Sequence, residues 1–266
     1  MNRLEKVLTR GKVLVAYLCI GDPSLEESVD LARACVKSGA DVLELGVPFS
    51  DPTADGPVIA RASQRAIARG GGLEASLRAA RILRASEPAA GIVLFGYYNP
   101  LFVRGEARVA REAAEAGVDA LLVVDLPLEE GEALREAARA HGVGMVPLLA
   151  PTSSAERVAA VRKAASRGGV PFVYYVSVTG VTGAGAVDAE QAGERAAMLR
   201  SELGLPVVVG FGIDSRARAR AAAARSDGAV VGTALVRLIE EGKTPSERRA
   251  AVETLVRELR AGVDEA

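Results

Sequence analysis

The sequence predicts an α/β fold, an eight-fold β/α (TIM) barrel, on three observations. Eight short apolar runs alternate with longer segments in which Ala, Leu, Arg and Glu recur at helical spacing. The runs are continuously apolar and rich in Val and Leu, as parallel strands covered on both faces must be, and the stretches between them are long enough for crossover helices. The chain has 266 residues, near the size of one such barrel, so a single domain over residues 1–266 is expected. An open doubly wound sheet is the competing arrangement. It ranks lower because no GxGxxG turn opens the first helix and no P-loop joins a strand to a helix.

Residues 2–10 predict an extra N-terminal helix that closes the barrel bottom. Strands are expected at 14–20, 42–47, 92–98, 120–126, 144–150, 172–178, 206–212 and 228–234. The sequences Ser38-Gly39-Ala40-Asp41, Ala116-Gly117-Val118-Asp119 and Ser226-Asp227-Gly228-Ala229 fall where a helix should stop and a strand begin. Glycine there supplies a left-handed helix cap, so these are scaffold features without chemistry. Gly70-Gly71-Gly72 separates a short helix from a longer one starting near Leu73. The stretch from Pro245 to Arg260 completes the outer ring, and the end beyond Gly262 is expected to fray.

Composition narrows the function. Charged residues make up 25% of the chain and the formal net charge is -1, which leaves no positive field to hold nucleic acid or an anionic membrane surface. No apolar stretch approaches the ~20 residues that span a bilayer, so a cytoplasmic protein acting on a small molecule is expected. The two cysteines, Cys19 and Cys35, lack CxxC spacing and read as reduced packing residues. His141 is the one histidine and sits at the end of a helix before Gly142, where it suits the helix dipole. A multi-histidine metal site is excluded by count. Acid–base chemistry therefore falls to carboxylates or tyrosines unless His141 is used.

In a β/α barrel the reactive face lies at the C-terminal ends of the strands. Glu44 stands out there, an acid inside the apolar strand run Leu43-Glu44-Leu45. Burying an ionised carboxylate costs several kcal/mol, so Glu44 either has a partner or binds its proton more tightly. The competing reading has it facing outward under a helix, paired with an arginine. Asp55, in the loop beyond, gives a second carboxylate in a different environment, which permits one to exchange protons while the other stays ionised. Tyr97 and Tyr174 read equally as core packing and as phenolic donors to a ligand. Asp22 and Asp125 read as cap or loop braces. Gly210-Phe211-Gly212 and Gly232-Thr233, after strands seven and eight, form a candidate phosphate site, since glycines let backbone N–H groups approach an anion. The run Thr179 to Gly183, including Thr182 and Gly183, adds a third wall and a candidate lid.

The run Glu44-Leu45-Gly46-Val47-Pro48-Phe49-Ser50-Asp51-Pro52-Thr53-Ala54-Asp55-Gly56 closely resembles the signature of the tryptophan synthase alpha chain family. Gly21-Asp22-Pro23, Tyr97-Tyr98-Asn99-Pro100, Asp125-Leu126-Pro127, and the runs 150–153, 177–183 and 209–213 follow in the same order, so the likeness covers nearly the whole chain. It implies a barrel lyase that cleaves indole-3-glycerol phosphate to indole and glyceraldehyde 3-phosphate in tryptophan biosynthesis. It further implies a beta-chain partner in an alpha2-beta2 heterotetramer. No cofactor is expected in this chain, pyridoxal phosphate belonging to the beta chain. By the same resemblance Glu44 is the acid–base glutamate and Asp55 the aspartate that holds the indole N–H. Tyr97 lines the indole pocket, Tyr174 lies near the substrate, and Gly183, Gly212, Gly232 and Thr233 contact phosphate. The chain departs from the family at Cys19-Ile20, Thr53, Ala60 and Ala184-Gly185. Two other functions remain open at this level: a barrel that chiefly binds and activates a beta chain, and another phosphate-sugar barrel enzyme.

Overall fold

The computed structural model describes residues 3–176, 189–210 and 212–266. The chain begins with α1 (Arg3–Leu8), β1 (Val13–Cys19), α2 (Leu25–Lys37), β2 (Val42–Gly46), α3 (Pro57–Ile67), α4 (Leu73–Ser86) and β3 (Gly91–Gly96). It continues through α5 (Tyr98–Arg104), α6 (Glu106–Glu115), β4 (Ala120–Val123), α7 (Glu132–Ala140), β5 (Gly144–Met145), β6 (Leu148–Leu149) and α8 (Ala155–Ser166). The last elements are β7 (Val173–Val176), α9 (Ala189–Leu203), β8 (Val207–Gly210), α10 (Arg216–Ala224), β9 (Gly228–Val231), α11 (Thr233–Glu241) and α12 (Pro245–Asp264).

All recorded strand pairs are parallel, in the order β5-β4-β3-β2-β1-β9-β8-β7-β6. The two ends of that order, β5 and β6, are halves of one short run, so the sheet closes into the expected eight-fold barrel. The run expected as one strand at 144–150 is divided at Val146-Pro147 into β5 and β6. Its lower half pairs with β4, at Ala120↔Gly144 and Leu121↔Met145. Its upper half pairs with β7, at Leu148↔Tyr174 and Leu149↔Tyr175.

Side-chain alternation sorts the wall into two cores. Leu14, Ala16 and Leu18 of β1 and Leu43 and Leu45 of β2 point outward and pack under the helices. Val15, Val42, Val93, Leu122, Val208 and Val230 point inward and fill the lumen. Leu4 and Val7 join that inner cluster from α1, which plugs the barrel bottom as expected. Helix starts follow local chemistry: Ser24 caps α2 by accepting from the Glu27 N–H, and Ser154 caps α8 by accepting from the Arg157 N–H.

Several expected strands overshoot at their C-terminal ends. Tyr98 already begins α5 and Thr233 begins α11, because the residues after each strand are also apolar or small. The expected fraying beyond Gly262 is overturned. α12 runs to Asp264, Val263 is buried, and Gly262 packs so closely on the Arg216 backbone that a side chain there would collide.

Candidate active site

A cavity of about 420 Å³ opens at the C-terminal mouth of the barrel. Its floor takes an inward-facing residue from each wall segment: Tyr17 from β1, Glu44 from β2, Phe95 from β3, Val124 after β4, Leu148 from β6, Tyr174 from β7, Gly210 from β8 and Gly232 after β9. The layer beneath is apolar and buried. Glu44 is thus the one carboxylate in the ring, held by strand register at Tyr17↔Glu44 and Glu44↔Val93.

The outward-facing, arginine-paired reading of Glu44 does not hold. The residue is 1% exposed, faces the lumen, and forms no ion pair among the described residues; its Oε1 has no hydrogen-bond partner. Burial without a compensating charge pushes its pKa up to about 8, so it carries its proton at neutral pH. Burial also raises the phenols of Tyr17 and Tyr174 well above their ordinary range, and the proximity of Glu44 adds to this, so both remain neutral donors. Their rings need glycine partners. Tyr17 lies over Gly46 and Tyr174 over Gly210, each where a Cβ would stand.

Asp55 reaches the cavity from the loop between β2 and α3, half-buried. Burial raises its pKa to about 6, opposed by a hydrogen bond from Tyr97. Tyr97 does not line the cavity. It stands behind Asp55, its hydroxyl accepting from the Ala54 N–H at 3.0 Å and its ring stacked 5.3 Å from that of Phe49. Asp22 and Asp125 brace, as expected. Asp22 receives both arms of Arg65, at 2.9 and 2.7 Å, and Asp125 accepts from the Tyr98 N–H at 2.7 Å.

Across the mouth, Gly210, Gly212, Gly232 and Thr233 line the cavity together. Thr233 opens α11, whose first N–H groups and dipole favour an anion there. Gly212 takes a φ of 60°, in the left-handed region that glycine tolerates. Thr182, Gly183, Phe211 and the candidate lid from Thr179 to Gly183 lie outside the described residues. Two arginines that sequence reasoning passed over also line this side. Arg218 donates to the Gly212 carbonyl at 2.9 Å and to Asp214 at 3.0 Å. Arg237 forms no ion pair among the described residues. Its spacing from Thr233, one helical turn, was the available signal.

A barrel whose mouth sets a protonated, unpaired carboxylic acid opposite glycine loops and cations belongs to the enzymes that work on small phosphorylated molecules by proton transfer. Known proteins narrow that class. The sequence profile described as tryptophan synthase alpha chain matches residues 5–264. The tryptophan synthase alpha chain of Dechloromonas aromatica (strain RCB) is 46% identical over 270 residues, covering 100% of this chain and 99% of the relative. The crystal structure of tryptophan synthase subunit alpha from Legionella pneumophila str. Paris superposes with a TM-score of 0.90 at 37% identity, covering 100% of both chains. Mycobacterium tuberculosis tryptophan synthase gives a TM-score of 0.85 at 36% identity over 98% of each chain. The chain belongs to the tryptophan synthase alpha chain family, the lyases that cleave indole-3-glycerol phosphate in tryptophan biosynthesis.

Proposed function

We propose that this chain, as a single barrel domain, cleaves indole-3-glycerol phosphate with Glu44 as the proton shuttle and Asp55 as the electrostatic partner. The observation that carries this reading is the buried, unpaired carboxyl of Glu44 on the cavity floor. Protonated at neutral pH, it gives its proton to indole C3, and positive character develops on the ring nitrogen. Asp55, ionised above about pH 6, accepts the indole N–H and stabilises that charge. The carboxylate left on Glu44 takes the proton of the glycerol hydroxyl next to the breaking bond. The aldehyde C=O forms, the C–C bond electrons return to the ring, and indole leaves with the new hydrogen on C3. Because Oε1 is tied to no neighbour, one carboxyl can turn between the two positions.

The glycine side of the mouth holds the phosphate. Gly212, Gly232 and Thr233 offer backbone and helix N-terminal donors, and Arg218 and Arg237 add positive charge. Tyr174 packs against the substrate from the floor. Tyr97 fixes Asp55 and does not touch the indole ring. The beta chain is the expected partner, in an alpha2-beta2 assembly, and pyridoxal phosphate chemistry belongs to that chain. No helix among the described residues is long and apolar enough to cross a membrane, in keeping with the expected cytoplasmic location.

Indole release from indole-3-glycerol phosphate, assayed with and without a beta chain, tests the assignment. Glu44→Gln is expected to lower the rate by about 10³-fold in both assays while the variant stays folded, in the range for loss of a general acid–base group. An unchanged rate would overturn the mechanism. Activation of a beta chain by a wild-type chain that releases no indole would favour the purely activating role.

A further inference from the structure

A second cavity, about 550 Å³, lies at the barrel wall beside α7 and α8. It sits where the wall is parted. The β4–β5 ladder ends at Leu121↔Met145, so Val123 and Val124 above it run beside Pro147 and Leu148 without a ladder pair. Leu126, Met145, Leu149 and Val161 give it apolar sides, Arg135 and Arg157 give it two guanidinium groups, and Asp125, which accepts from the Tyr98 N–H, gives it one carboxylate. Val124 and Leu148 also line the mouth cavity, so the two spaces stand back to back.

Arg135 is the informative residue. It is 8% exposed, the one arginine among the described residues that counts as buried. The other arginines drawn into the structure each hold a carboxylate: Arg65 pairs with Asp22, Arg84 with Asp119, Arg248 with Glu27 and Arg260 with Asp41. Arg135 forms no ion pair among the described residues. Its Nη1 donates to the Leu128 carbonyl at 2.9 Å and its Nε is buried without an acceptor. A buried guanidinium without an anion is costly, and a planar fork of donors matches a carboxylate. Arg157 adds charge at the same cavity and pairs with Glu129 at 3.5 Å.

The geometry points to a binding site for a small apolar monocarboxylate, its carboxylate on Arg135 and its hydrocarbon body among Leu126, Met145, Leu149 and Val161. The volume fits, since small-molecule sites span about 300–1,000 Å³ and combine apolar walls with few polar groups. The site is separate from Glu44 and stands whether or not the proposed catalytic roles do.

Met145 lines the cavity, whereas Met198 is 60% exposed on α9, so methionine methyl resonances report occupancy without any assay of turnover. The full-length chain labelled with ¹³C at methionine methyls is titrated with 3-phenylpropanoate, its neutral amide, and inorganic phosphate. The acid should move the Met145 methyl saturably and leave Met198 in place. The amide should bind at least about tenfold more weakly, as should the acid to Arg135→Met, which is what losing one charge-assisted bond implies. Leu126→Trp, which fills the cavity from its half-buried rim and keeps Arg135, should also weaken the acid and supplies the test if Arg135→Met does not fold. A Met145 methyl that the acid leaves still, an amide or phosphate that moves it as readily, or unchanged affinity in Arg135→Met or Leu126→Trp would each overturn the site.

Discussion

The two ends of the barrel hold the same kind of side chain in opposite circumstances. At the bottom, Asp41 accepts from the Leu14 N–H at 2.8 Å and pairs with Arg260 at 2.7 Å. Asp119 accepts from the Ile92 N–H at 2.9 Å and pairs with Arg84 at 2.7 Å and Arg3 at 3.1 Å. Asp227 accepts from the Val207 N–H at 2.8 Å and pairs with Arg200 at 3.3 Å. Each of these acids joins the start of a neighbouring strand to a cation. At the mouth Glu44 has neither backbone donor nor cation among the described residues. Paired carboxylates hold the scaffold; an unpaired one keeps a transferable proton.

Breaking a pair at the bottom should cost the most stability and the least chemistry. Asp119→Ala takes the carboxylate from Arg84 and leaves the Ile92 N–H without its side-chain acceptor, and an unfolding transition in denaturant should show a loss of about 3–5 kcal/mol. Indole release per folded molecule should be retained. A stability loss under about 1 kcal/mol would remove the distinction drawn between the two ends.

Stability against pH gives the next largest effect. The folded-state pKa of Glu44 is raised from 4.5 to about 8, so its favourable contribution is full below about 4.5 and is lost as pH rises through 8. Relative to Glu44→Gln, the wild-type chain should lose up to several kcal/mol of stability between those limits. Parallel curves for the two proteins would show that Glu44 is ionised in the fold.

In the chemistry itself, Asp55→Asn should lower indole release by about 10²-fold, the size expected for losing one stabilising group at a developing charge. The wild-type kcat/KM should rise through pH about 6 and fall through about 8, as Asp55 ionises and Glu44 loses its proton. Asp55→Asn should lose the acid limb and keep the alkaline one. Both limbs persisting in that variant would separate Asp55 from the profile.

The smallest effect is expected at Arg237. Arg237→Met should raise KM several-fold and leave kcat within about twofold, because an exposed charge beside the proposed phosphate site aids binding equally in ground and transition states. A fall in kcat with unchanged KM would place Arg237 in the reaction instead.

What was legible in the sequence depended on contrast. Glu44 showed because every neighbour in its run is apolar, and the barrel showed because eight such runs are spaced by helix-length segments. Tyr17 did not show, since a tyrosine in an apolar run carries no mark of which face it takes until register places it beside Glu44. Tyr97 stands behind Asp55 and is not among the residues that line the cavity, a relation that loop geometry sets and the sequence does not display. Arg218, Arg237 and Arg135 were lost among the 33 lysines and arginines of the chain. Only burial separates Arg135 from the rest. Pro147 was visible as a residue that cannot donate to a ladder, yet its run was counted as one strand because its flanks are apolar on both sides.

That proline also governs how the barrel meets other molecules. Sheets with open ends recruit strands from other chains, since their outermost N–H and C=O groups lack partners. Here both ends of the strand order fall in one short run, joined through Val146 and Pro147. The parting that remains beside β4 is about two residues long and roofed by helices. A partner that docks on this molecule therefore has no strand edge to extend, and must recognise it through loops, helix faces and side chains.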